Sequence, residues 1–155
     1  MTTDTKPRLF SVGYQHLQPA ELVALVIALD AILIDCRSAP SGRVKRGFAR
    51  ADLEKALEGR YEWRKELGGR DNAPTVEGLK KLAADERRLV LMCMEHSPAE
   101  CHRHHKIAMP LAVAGVDVWH VYEDEVVLAT DLQRAIDNDD EYEYRSLEEV
   151  LSEAK

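Results

Sequence analysis

Most residues able to do chemistry fall in three short stretches of this 155-residue chain. They are Gly13-Tyr14-Gln15-His16, Asp35-Cys36-Arg37, and Cys93-Met94-Glu95-His96 with the Cys101-His102-Arg103-His104-His105 that follows it. Cysteine attacks or binds metal as a thiolate, and a helix N-terminus with arginine nearby favours that form. Cys93 stands where a strand gives way to a loop and a helix start. It is the candidate nucleophile, beside the readings of a buried structural thiol and of a metal ligand. Glu95 can act as a general acid or base when partly desolvated, or can simply pair with Arg37 or Arg103. Asp35 either orients Arg37 or is a catalytic carboxylate itself. His102 is a further candidate for moving protons. Arg37 and Arg103 offer forked donors for an anion.

A metal is the competing use of the same residues. Cys101 and His105 are four apart, which on a helix places them on one side. Together with Cys93, and with His102 or His96 completing the set, they make a candidate tetrahedral zinc site. No Cys-x-x-Cys pair occurs, and the Cys93 to Cys101 spacing matches no standard finger. His104 reads as a solvent-exposed residue of the same helix.

These residues need elements to bring them together. Apolar runs at Arg8–Val12, Ala31–Asp35, Leu89–Cys93 and Val116–Tyr122 predict strands. Helical spacing predicts helices over Pro19–Leu29, Ala49–Leu57 and Thr75–Glu86, with Thr75 as a cap. Ser97-Pro98-Ala99-Glu100 combines a capping box with an early proline, so a helix is expected from there to about Ala114, bent at Pro110. Ser38–Gly47 is a loop, Gly68-Gly69-Arg70 a turn, and Tyr61–Leu67 is ambiguous. Alternating strands and helices predict an α/β fold with a mostly parallel sheet flanked by helices, Rossmann-like or rhodanese-like. Ligands of such sheets bind beyond the carboxyl ends of the strands. That rim is where Tyr14, Asp35, Arg37, Cys93 and Glu95 would meet.

Charge and length narrow the classes. No apolar run approaches the roughly 18 residues of a membrane span, and the polar start of the chain lacks a signal-peptide core. The expectation is a cytoplasmic protein with reduced thiols and no membrane. Of the formal charge of −7, Asp137–Lys155 carries −6. Between positions 37 and 50, five basic residues (Arg37, Arg43, Lys45, Arg46 and Arg50) occur with no acid. That run is either a solvated loop or a site for an anion such as phosphate, nucleotide or single-stranded nucleic acid. Duplex DNA would want a larger basic surface.

Several segments together resemble a known family. Ser11-Val12-Gly13-Tyr14, Leu33-Ile34-Asp35-Cys36-Arg37-Ser38-Ala39-Pro40, Glu66-Leu67-Gly68-Gly69-Arg70 and Leu91-Met92-Cys93-Met94-Glu95, with the later Cys101-His102-Arg103, are similar to domain of unknown function 488. Its members typically carry Gly-His-Ser, Asp-Val-Arg-x-x-Pro, Leu-Gly-Gly, and Cys-x-Glu with a later Cys-His-Arg. Tyr14 stands here for the usual histidine and Cys36 for the usual valine. The resemblance implies a fold and a site, with no settled activity. A looser likeness is to the rhodanese and cysteine-phosphatase arrangement, whose phosphatases place an arginine six positions after the cysteine. Here that position is Ala99, and Arg103 is the first arginine to follow.

The sequence reading is thus one α/β domain over residues 1–136 and an acidic tail, 137–155, with a short helix. Cys93, Glu95, His102 and Asp35 are the catalytic candidates; Tyr14, Arg37, Arg43, Arg46, Arg70 and Arg103 are the substrate-binding candidates. Cys93, Cys101 and His105 are the metal alternative. The expected activity is that of an enzyme, a hydrolase or transferase with a cysteine or carboxylate active site. Its substrate would be phosphorylated, nucleotide-like or nucleic-acid-derived, so the expected partner is an anionic small molecule or nucleic-acid fragment. The alternatives are a non-catalytic module binding nucleotide or single strands, and a zinc-stabilised interaction protein. No cofactor is required by the sequence, and zinc is the one the alternative would add.

Overall fold

The computed structural model describes residues 7–40, 45–68, 73–95 and 97–153, without the Glu153 side chain. The apolar runs become β1 (Leu9–Gly13), β2 (Ile32–Asp35), β3 (Tyr61–Trp63), β4 (Leu89–Cys93) and β5 (Val118–Tyr122). These five run parallel in the order β3-β2-β4-β1-β5. β6 (Glu125–Leu128) and β7 (Arg145–Ser146) then extend the β5 edge antiparallel. The architecture is therefore α/β, with one open, mostly parallel seven-stranded sheet flanked by helices, consistent with a Rossmann-like fold.

Side chains alternate across a strand, and here both faces are covered, which is why β1 and β4 are apolar nearly throughout. Phe10, Val12, Val90 and Met92 face α1 (Pro19–Ala28) and α2 (Arg50–Leu57), through Leu22, Val26, Leu53 and Leu57. Leu9, Leu89 and Leu91 face the other layer, through Leu82 of α3 (Val76–Ala84), Ile107, Leu111 of α4 (Met109–Val113) and Ala129 of α5 (Ala129–Asp137). The chain leaves β1 into a helix on one face and leaves β4 into a helix on the other. Neighbouring strands whose connections diverge open a crevice at their carboxyl ends, the switch point of an open sheet. β1 and β4 pair from Leu9↔Leu89 to Gly13↔Cys93.

Three elements differ from the sequence expectation. The helix expected from Ser97 to Ala114 is broken into a 3₁₀ turn (Pro98–Glu100), an extended Cys101 (φ −120°, ψ 146°), a π-helical turn (Arg103–Ala108) and α4. Pro110 has no N–H for the Lys106 carbonyl and its ring would strike that carbonyl, so a wider turn precedes it. The ambiguous stretch at Tyr61 forms β3 and then a 3₁₀ turn (Lys65–Leu67). The acidic segment joins the sheet through β7, and α6 (Leu147–Glu153) buries Val150 in the core beside α1 and α2. Thr75 caps α3 as its sequence indicates, accepting from the Gly78 amide at 3.0 Å.

Candidate active site

The end of β2 builds one wall of the crevice. Asp35 is fully buried and accepts from Arg37 Nε at 2.8 Å, Arg37 Nη2 at 2.7 Å and the Arg37 amide at 3.1 Å. The Tyr61 hydroxyl donates to its Oδ2 as well. Arg37 Nη2 also donates to the Phe48 carbonyl at 2.7 Å, and Nη1 reaches the Tyr14 hydroxyl at 3.4 Å. Burial works against the Arg37 charge, but the hydrogen bonds and charge of Asp35 outweigh it and hold the guanidinium protonated. Burial and then Asp35 push the Tyr61 hydroxyl up, so it stays a donor. Tyr14 stacks on Phe48 with ring centroids 4.7 Å apart. A carboxylate, an arginine and two tyrosines are thereby fixed by one another.

The end of β4 supplies the reactive groups. Cys93 Sγ lies 3.6 Å from Glu95 Oε2 and 3.7 Å from His102 Nδ1, and Cys101 Sγ lies 3.9 Å from the same nitrogen. The Cys93 thiol bonds to Cys101, which holds the Cys93 proton on, and burial adds to this. The same bond, then His102 and the Arg103 amide (3.5 Å from the sulfur), draw Cys101 well below the usual thiol range against the cost of its burial. His102 Nε2 is buried with no hydrogen-bond partner among the described residues. Leaving such a group unsatisfied costs about 1–3 kcal/mol. Cys36, the third thiol, is also buried and donates to the Ile34 carbonyl at 3.7 Å.

The two walls enclose a cleft of about 240 Å³ lined by Tyr14, Arg37, Ser38, Ala39, Cys93, Met94, Glu95 and His102. A larger hollow of about 500 Å³ lies across α2 and β3, but its charged lining is largely paired, Arg50 with Glu54 and Arg64 with Glu62. Chemistry, not size, singles out the smaller cleft.

Beneath the cleft runs a buried polar chain. Arg103 is fully buried; it donates to the Glu95 carbonyl through Nη1 and to Ser11 Oγ through Nε at 3.1 Å. Ser11 bonds to His120 Nδ1, His120 Nε2 to His104 Nδ1 at 2.9 Å, and His104 Nε2 to Gln133 Oε1 at 2.9 Å. Gln133 Nε2 donates to Asp137 Oδ1 at 2.8 Å. That last bond makes Gln133 Oε1 accept from His104 Nε2. Burial keeps both histidines below the usual range, and with neutral rings His104 Nδ1 accepts from His120 Nε2 and His120 Nδ1 accepts from Ser11.

The structure brings Tyr14, Arg37, Cys93, Glu95 and His102 to one cleft, with Asp35 buried behind Arg37 and Cys101 behind Cys93, whereas Arg103, expected to hold an anion, is fully buried beneath it. His105 is not among them; it is exposed, and its Nε2 lies 2.6 Å from the Ala99 carbonyl. With Cys101 extended, the one-turn relation between Cys101 and His105 is lost, and His102 takes that place. His104 is buried, not exposed, for the same reason: the π turn rotates it under the sheet. Arg46 is exposed; Arg43, Arg70 and His96 lie outside the described residues. Elsewhere in the basic stretch, Lys45 donates to the Tyr14 and Gln15 carbonyls, and Arg50 stacks on Trp63. Sequence reasoning missed Ser11, His120 and Gln133 altogether. The signal available was two polar residues inside the apolar runs of β1 and β5.

The chain has no match among curated proteins or among solved structures. Residues 29–76, which carry β2, the Asp35–Arg37 wall, α2 and β3, match the model of the family described as Domain of unknown function DUF488, and that is the family this chain resembles.

Proposed function

We propose that the protein is an enzyme, a hydrolase or transferase that takes the phosphate-bearing end of a small nucleotide-like or nucleic-acid-derived substrate into the cleft between β1, β2 and β4. The observation that carries this reading is the meeting of an anchored arginine, a carboxylate and a Cys-Cys-His cluster around one 240 Å³ opening. Ligand pockets usually measure about 300–1,000 Å³, so this cleft suits a terminal group better than a whole nucleotide. Arg37, held by Asp35 on two nitrogens, and the Tyr14 hydroxyl orient the anionic group. Glu95 moves the proton, and the cysteine cluster supplies the activated group beside it.

A panel of phosphomonoesters, nucleotides and short oligonucleotides, assayed for phosphate or nucleoside release, tests the reading. Turnover by the wild type should drop by about 10²–10⁴ in kcat for Glu95→Gln, the range of a general acid–base group. Arg37→Lys should mainly raise KM. If no member of the panel is turned over or raises the melting temperature, the reading is wrong.

A further inference from the structure

We propose that Cys93, Cys101 and His102 hold a divalent transition-metal ion, zinc before the others, at the floor of the cleft. The first support is geometric. The three ligand atoms all lie within 4.8 Å of one another. In a tetrahedral site with Zn–S near 2.3 Å and Zn–N near 2.0–2.1 Å, the edge between sulfur and nitrogen is about 3.6 Å. The two observed edges to His102 Nδ1, 3.7 and 3.9 Å, differ from that by a few tenths of an ångström.

The second support is chemical. Two sulfurs and an imidazole are a borderline-soft donor set that suits zinc and disfavours magnesium or calcium. His102 turns Nδ1 towards both sulfurs, while its buried Nε2 has no partner among the described residues. No protein acceptor therefore fixes the ring in some other role. Three protein ligands and a remaining position are the pattern of catalytic zinc, whereas structural sites close with four.

The third support is position. Glu95 stands beside Cys93. Cys93 and His102 line the cleft, so an ion between them is reached from the substrate side. It would supply a Lewis acid, or a bound water with its pKa lowered to about 7, next to the Glu95 carboxylate. This deepens the enzyme reading, with Cys93 as a ligand and not a nucleophile, but its test does not depend on finding a substrate.

The full-length protein is purified without added metal, assayed for zinc, then stripped with a chelator and titrated with Co²⁺. About one zinc per chain is expected as isolated. Cobalt should give a thiolate-to-metal charge-transfer band and the intense visible bands of tetrahedral coordination, with saturation at one equivalent. Cys93→Ser, Cys101→Ser and His102→Gln should each weaken binding by at least tenfold, while Cys36→Ser binds as the wild type does. Circular dichroism of each variant separates lost ligation from lost folding. A stripped, folded wild type that shows no charge-transfer band with excess Co²⁺ overturns the proposal. So does a Cys36→Ser variant as impaired as the other two serine variants. Absent turnover with intact metal binding would sink the enzyme reading and leave this one standing.

Discussion

Asp35 binds the cleft wall together through four hydrogen bonds among the described residues, three of them from Arg37. Both partners are desolvated, Asp35 completely and Arg37 to 9% side-chain exposure. A buried ion pair adds little net stability over an apolar pair, but breaking one leaves an uncompensated charge and costs about 3–5 kcal/mol. Asp35→Asn should therefore lower the urea midpoint by that equivalent, although it keeps the side chain's shape. Adding Arg37→Met to Asp35→Asn should recover much of the loss, because the stranded charge is removed with its partner. A single Asp35→Asn variant within 1 kcal/mol of the wild type, taken at about the size of one ordinary hydrogen bond, would contradict this account of the wall.

The wall also depends on how its elements approach one another. Gly68 ends the 3₁₀ turn after β3, and a Cβ there would sit 2.3 Å from the Cys36 carbonyl oxygen and 2.6 Å from the Ser38 amide nitrogen. Both are backbone atoms, so the turn would have to move away from the β2 end as a unit. Gly59 presents the opposite case, with φ +90° and nothing within 4 Å. Alanine at Gly59 meets only backbone strain, of order 1–3 kcal/mol. Gly68→Ala is expected to destabilise more than Gly59→Ala in equilibrium unfolding, and also to weaken whatever binds beside Arg37. Equal losses for the two variants, with binding untouched, would show that the close approach at Gly68 does not matter. The break at Cys101 and the π turn after it are the other element-level device, since together they present His102, Arg103 and His104 in three separate roles.

Across the molecule, the polar chain from the buried Arg103 to the exposed Asp137 ties α5 to the cleft and makes stability depend on pH. His120 is held below its usual range by burial first and then by the nearby Arg103 charge, and it packs between Ser11 and His104. A histidine whose folded pKa lies below its unfolded value near 6.5 contributes stability above that value and loses it as pH falls. The wild type should therefore lose stability from about pH 6.5 downward, by up to 1.4 kcal/mol per pH unit for each such histidine. His120→Asn should flatten that slope, measured as melting temperature between pH 8 and 5. A wild-type protein that gains stability over the same acidification would refute the tautomers assigned here. Asp85 adds a second, lower window. Hydrogen bonds from Arg87 hold its carboxyl well below the usual range, so its contribution is present above about pH 4 and is lost below. No helix among the described residues is long and apolar enough to cross a membrane.

Local physics made much of this readable in one dimension. The apolar runs of β1, β2, β4 and β5 and the helical spacing of α1 to α3 follow from period and propensity, and both are properties of adjacent residues. The position of Tyr14, Asp35, Arg37, Cys93 and Glu95 at one rim followed too, because parallel strands put their carboxyl ends on the same edge. β6 and α5 were too short and too mixed in composition to announce themselves, and β7 exists only because β6 offers it an edge. Tertiary structure alone decided which imidazole meets the two sulfurs. Helical spacing favours Cys101 with His105, but Pro110 and the sheet beneath force a wider turn, which presents His102 to the sulfurs and buries His104 against His120. It also decided what Arg103 does, since a guanidinium buried against Ser11 and the Glu95 carbonyl looks, in sequence, the same as one awaiting an anion.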